Sequence, residues 1–159
     1  MTHETVGRLM EILLVEDSLT FARLAIGALK NGQVPHRLTW LTDGADAWEF
    51  LKRRGPYANA PRPDLLLLDL KLPGLDGTEL LARLRADSDL ETLPVIVMTG
   101  EGDSVATSEL PVEAFLTKPL AFDKFLEIVR QLSAFWHADM LVPEHAAELP
   151  VVEDDELLS

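Results

Sequence analysis

Cysteine is absent from the 159-residue chain. Disulfides and thiolate metal centres are therefore excluded, and the composition suits a reducing compartment. Long apolar runs are missing as well: the longest are strand-sized, and the opening Met1 to Met10 is polar, with Glu4 ahead of any hydrophobic stretch. That pattern argues against a signal peptide or membrane span and for a cytoplasmic protein. Positive charge is scarce, with 14 Lys and Arg against 27 Asp and Glu and a formal charge of −13. Nucleic-acid binding rests on clustered cations that release counterions from phosphates, so DNA and RNA are excluded as direct partners. The last segment, His137 to Ser159, has no Lys or Arg and reads as an acidic, solvated extension. The four histidines, His3, His36, His137 and His145, are scattered without metal-ligand spacing.

What the chain does have is enough hydrophobic sequence, 47%, for one sizeable core. The expected organisation is a tail over 1–9, one domain over 10–136 and the extension over 137–159, with no output domain. Ile12 to Val15, Leu65 to Leu68 and Val95 to Met98 are short apolar runs that suit parallel strands covered on both faces. HRLTWL, His36 to Leu41, alternates and is placed at a sheet edge, and Ala114 to Leu116 is a brief fifth strand. Helical spacing follows Ser18 up to Gly32 and recurs over Asp46 to Arg54 and over Thr78 to Ala86, where Thr78 is the expected cap. It recurs again in Phe122, Phe125, Leu126, Val129 and Leu132, running on into Phe135 and Trp136. The segment Arg53 to Pro63 is expected to be an irregular surface loop. Strands alternating with helices predict an α/β fold with a doubly wound parallel sheet, whose chemistry collects beyond the carboxyl ends of the strands.

Those ends carry Glu16-Asp17, Asp69, Thr99-Gly100 and Lys118-Pro119. Three clustered carboxylates repel one another and call for positive compensation. A hard divalent cation with oxygen ligands supplies it, Mg²⁺ being favoured because it leaves room for waters and a phosphoryl group. A carboxylate in such a place can act as a nucleophile and form an aspartyl phosphate, with ammonium, hydroxyl and backbone N–H groups neutralising the transferred group. Taken singly, each residue has a bland explanation: Asp17-Ser18 as a helix cap, Asp69 as a turn residue, Lys118 as a solvated lysine. Together they would require a coincidence at every strand end.

ILLVEDS, LLLLDLKLPGLDG, VIVMTG and FLTKP, in this order, resemble the receiver domain of two-component response regulators over about Met10 to Trp136. The resemblance implies a flavodoxin-like (βα)5 fold, strand order 2-1-3-4-5, that takes a phosphoryl group from a partner histidine kinase. It implies Asp69 as phosphoacceptor, Asp17 as direct Mg²⁺ ligand, Glu16 as the acid holding the ion through water, and Lys71 as the donor of a backbone carbonyl. Thr99, Gly100 and Lys118 match the phosphoryl-binding positions, and Phe115 the aromatic that switches with Thr99. Lys71 and Glu101 match positions that flank the path of hydrolytic water, so an opposite-charge pair there is expected to slow self-dephosphorylation. PRPDLLLLDL, the DLKLP turn and the terminal Phe135-Trp136 resemble more narrowly the stand-alone receivers that serve bacteriophytochrome-type kinases, a class that dimerises. Phe135 and Trp136 are accordingly the candidates for a homodimer contact. The stretch from Thr99 to Lys118 is shorter than in most receivers, and its Gly and Pro content predicts a short or irregular fourth helix.

Two rival functions deserve weight. LDGTEL, Leu75 to Leu80, resembles part of the haloacid-dehalogenase-type phosphatase motif, but Gly74 stands where the nucleophile belongs and Lys71 where a general acid would follow Asp69, so an enzyme is not expected. A phosphorylation-independent pseudo-receiver is the alternative, and it would require erosion of a site whose positions are all intact.

Overall fold

The computed structural model describes residues 8–31, 35–99, 112 and 114–117. Five parallel strands form one sheet: β1 (Met10–Val15), β2 (His36–Leu41), β3 (Leu65–Asp69), β4 (Val95–Thr99) and β5 (Ala114–Thr117). Their order is β2-β1-β3-β4-β5, as the resemblance implies. Among the described residues three helices occupy the crossovers, α1 (Leu19–Asn31), α2 (Gly44–Lys52) and α3 (Gly77–Ala86). The expected fourth and fifth helices, the final aromatic stripe included, lie outside the described residues.

The leucine run explains the centre of the sheet. Side chains alternate along a strand, so Leu65 and Leu67 enter the core half built with α1, while Leu66 and Leu68 enter the half built with α2 and α3. β1 divides in the same way, Ile12 and Leu14 to one side and Leu13 and Val15 to the other. All four leucines are buried, each contributing on the order of 2 kcal/mol. β2 is the edge strand, but its residues are mostly half-buried rather than alternating, because Leu38 and Trp40 lean on the first core half and Leu41 on the second.

α1 starts directly after Ser18 as expected, whereas α2 and α3 start earlier than expected for a local reason. α2 begins at Gly44 because Asp43 caps it, its carboxylate accepting the Asp46 N–H at 2.7 Å. It ends at Lys52, with Arg53 in the left-handed region at φ 58° and the Arg54 N–H closing onto the Glu49 carbonyl. α3 is capped by Asp76 rather than Thr78: Asp76 and Glu79 form a reciprocal capping box. The segment after α2 is not wholly irregular, for Gly55–Tyr57 forms a 3-10 turn, Tyr57 meets the Phe50 ring edge-on at 5.4 Å, and Ala60 is buried.

Candidate functional site

Strand order reverses between β1 and β3: the chain leaves β1 toward β2 on one side, and later strands add on the other. The crevice of such a sheet opens beyond these two carboxyl ends. β1 and β3 pair in the register Ile12↔Leu65, Leu14↔Leu67 and Val15↔Leu68. Continuing that register one step sets Glu16 beside Asp69, on the side-chain parity of Ile12 and Leu14 in one strand and Leu65 and Leu67 in the other.

The ligand oxygens of Glu16, Asp17 and Asp69 all lie within 4.8 Å of one another. Glu16 is fully buried, Asp69 is 3% exposed, and Asp17 faces solvent. The turn that presents them is tightly bonded. The Glu16 N–H donates to the Leu41 carbonyl at 3.0 Å, and its carboxylate accepts the Ser18 N–H at 2.9 Å. Ser18 then caps α1, its hydroxyl accepting the Phe21 N–H at 3.4 Å. Asp69 accepts the Lys71 N–H at 3.1 Å, and Lys71 itself is exposed.

The loop from Leu70 to Asp76 is held by two close approaches. A Cβ at Gly77 would lie 2.3 Å from the Asp69 carbonyl oxygen and 2.6 Å from the Leu70 Cα, and the Gly77 N–H donates to the Leu70 carbonyl at 2.9 Å. A Cβ at Gly44, the first residue of α2, would lie 1.8 Å from the Leu75 carbonyl oxygen. Neither position has room for a side chain. The tempting Asp76 of LDGT is occupied with structure: besides its capping box it accepts the Leu72 N–H at 3.4 Å, which ties the loop to the helix it begins.

The structure thus brings Glu16, Asp17 and Asp69 together, with Lys71 two residues past Asp69. Thr99 ends β4, whose Met98 pairs with Asp69, and Phe115 pairs with Val97, so the backbone of both belongs to the same sheet. Gly100, Glu101, Lys118, Phe135 and Trp136 lie outside the described residues. Sequence reasoning missed two contributors. One is the pair of glycines, whose role arises only where loop meets helix. The other is Trp40, whose indole N–H donates to the Glu16 carbonyl at 2.7 Å.

Three carboxylates offering only oxygen form a hard donor set, with no sulfur and no imidazole among them, and that set fits a divalent cation of the Mg²⁺ or Mn²⁺ kind. A doubly wound sheet of order 2-1-3-4-5 with an acid cluster at its switch point defines a class, and the response regulator receiver domain family matches residues 12–130 of this chain. The chain belongs to that family and is a signalling protein rather than an enzyme. Among its relatives, the response regulator Rcp1 of Synechocystis sp. (strain ATCC 27184 / PCC 6803 / Kazusa) is 42% identical over 135 residues, which is 83% of this chain and 92% of that protein. The crystal structure of Mn²⁺-bound Rcp1 superposes with a TM-score of 0.68 at 39% identity, covering 84% of this chain and 99% of that one. The phosphorylated cyanobacterial phytochrome response regulator RcpA gives 0.69 at 37% identity, covering 85% and 99%. The bacteriophytochrome response regulator AtBRR gives 0.70 at 36% identity, covering 82% and 96%. Among the described residues no helix is long and apolar enough to cross a membrane.

Proposed function

We propose that Asp69 accepts a phosphoryl group from the phosphohistidine of a sensor kinase. A carboxylate oxygen of Asp69 attacks phosphorus; the new O–P bond forms as the P–N bond to the kinase imidazole breaks, and that imidazole takes its proton from solvent. The observation that carries the reading is the convergence of Glu16, Asp17 and Asp69 at the switch point, two of them buried. Like charges in low dielectric are costly, and a fold retains them where a cation and a transferred anion use them.

Asp17 and Asp69 would hold Mg²⁺ directly, with Glu16 behind them and the Lys71 carbonyl adding an oxygen. The ion, when bound, supplies positive charge opposite the phosphoryl oxygens. Thr99, Gly100 and Lys118 take the phosphoryl oxygens on the other side, Phe115 follows Thr99 as the switch, and Lys71 with Glu101 slows loss of the group to water. The kinase is of the bacteriophytochrome type, an assignment supported by the phytochrome response regulators among the chain's relatives. Leu19, half exposed two residues past Asp17, gives the rim an apolar contact for that partner. The protein acts in the cytoplasm as a homodimer through Phe135 and Trp136, with 10–136 as the receiver domain and 137–159 as its acidic extension.

Acetyl phosphate with Mg²⁺ is the direct test. The native chain is expected to form an acid-stable, base-labile adduct that Asp69→Asn lacks. No adduct on the native chain would overturn the proposal in favour of a phosphorylation-independent interaction module.

A further inference from the structure

Trp40 stands on the edge strand and carries no charge, yet it is bonded to the backbone of the acid pocket. β1 and β2 pair as Leu14↔Trp40 and Val15↔Leu41, and the Glu16 N–H continues the ladder onto the Leu41 carbonyl. In a parallel ladder the Glu16 carbonyl would next accept an N–H from Asp43. At Asp43 the chain has turned away to cap α2. The Trp40 indole N–H takes over that acceptor at 2.7 Å, while the ring packs on the core half built with α1. Both backbone polar groups of Glu16 are therefore held by β2, and the carbonyl in question belongs to the peptide plane joining Glu16 to Asp17. Tilting that plane swings the two carboxylates relative to Asp69.

We infer that Trp40 is a positioning residue for the divalent-cation site, acting through the Glu16-Asp17 peptide. The inference rests on the receiver reading above and adds to it a determinant on the edge strand that makes no contact with ion or phosphoryl group. A donor that fixes one peptide plane governs how well the ligands are pre-arranged, so it acts on ion affinity and leaves the saturated chemistry alone. Loss of one such hydrogen bond corresponds to roughly a three- to tenfold change in an equilibrium.

The test removes the donor and keeps the shape. Trp40 is replaced biosynthetically by benzothienylalanine, whose sulfur stands where the indole N–H was; Trp40→Phe serves as the second variant. Free Mn²⁺ is counted by electron paramagnetic resonance to give the dissociation constant, and the acetyl phosphate reaction is followed against Mn²⁺ concentration. The expected result is a three- to tenfold weaker Mn²⁺ affinity in both variants, with the rate at saturating ion within twofold of the native chain. Unchanged Mn²⁺ affinity in the isostere overturns the inference while the receiver reading stands. A native chain that takes up neither Mn²⁺ nor phosphoryl overturns both.

Discussion

Two buried aspartates bracket the leucine run of β3, Asp64 immediately before it and Asp69 at its end, and the protein treats them in opposite ways. Asp64, 7% exposed, is clasped by Arg8 through both guanidinium nitrogens at 2.7 and 2.9 Å and also accepts the Glu11 N–H at 2.8 Å. Its own N–H donates to the Glu11 carbonyl at 2.7 Å, so the start of β3 is tied to β1 by hydrogen bonds to Glu11 and to the residue pair before β1 by the charge pair with Arg8. Asp69 instead has two further carboxylates within 4.8 Å. One acid is matched to a guanidinium beside it, and the other is gathered with two more acids. A residue type and a strand thus say little about role until the neighbouring charges are counted.

The sharpest way to break this contrast is to disturb the loop beyond Asp69 rather than either acid. Gly77→Ala drives a Cβ into the Asp69 carbonyl and is expected to destabilise by roughly 3 kcal/mol and to weaken Mn²⁺ binding together, as read by urea unfolding and ion titration. Compensation of the acid cluster comes next. Mg²⁺ at a hundredfold its dissociation constant should raise native stability by about 2.7 kcal/mol, seen as a rise in Tm, and Asp69→Asn should lose most of that gain.

Without divalent ions, the same Asp→Asn change should then give opposite signs at the two ends of the run. Asp64→Asn is expected to cost about 2 kcal/mol, since it removes the buried carboxylate charge from the Arg8 clasp, while phosphoryl acceptance at a permissive temperature is retained. Asp69→Asn is expected to stabilise the metal-free protein by about 1 kcal/mol through relief of repulsion. Equal signs in chemical denaturation would collapse the comparison.

The smallest effect concerns Asp87, just past α3. The Lys52 ammonium at 2.5 Å, with the Asp89 N–H behind it, lowers its pKa from the ordinary 3.8. A depressed carboxylate stabilises the fold above its unfolded value, and that contribution fades as pH falls through the lower folded value. Stability measured below about pH 4 should therefore fall more steeply in the native chain than in Asp87→Asn, while near pH 7 salt should erode the Lys52 contribution.

Much of this was legible in the sequence because the sheet is parallel and doubly covered. Unbroken apolar runs such as Leu65 to Leu68 and Val95 to Met98 announce buried strands, and the polar residues that follow them must fall on one rim. Glu16, Asp17 and Asp69 were found in this way. The caps were less legible: apolar spacing locates a helix body but not its first residue, so Asp43 and Asp76 were passed over in favour of later starts. Asp76 drew attention as part of LDGT, although its carboxylate holds the Leu72 and Thr78 N–H groups. The Arg8 clasp joins residues 56 apart, and the Trp40 indole reaches a carbonyl just past the end of β1. Neither contact leaves any periodicity to read. Gly44 and Gly77 gave no signal either, because their need for a missing side chain comes from a loop that packs on them only after folding.

The alternation of Leu65 to Leu68 between two core halves has a mechanical meaning. Sliding or tilting β3 would have to reshuffle both halves at once, so the strand is a stiff rail spanning roughly 16 Å between its two acids. The proposed phosphorylation would exchange the single charge of Asp69 for nearly two at one terminus of that rail, about 16 Å from an Asp64 already matched by Arg8. The clasp at Asp64 lies at the far end of the strand and is already charge-matched. The new charge would be felt first sideways, in the turns after β1 and β3 and in the strand beyond β4. A message written at Asp69 would travel across the sheet rather than along it.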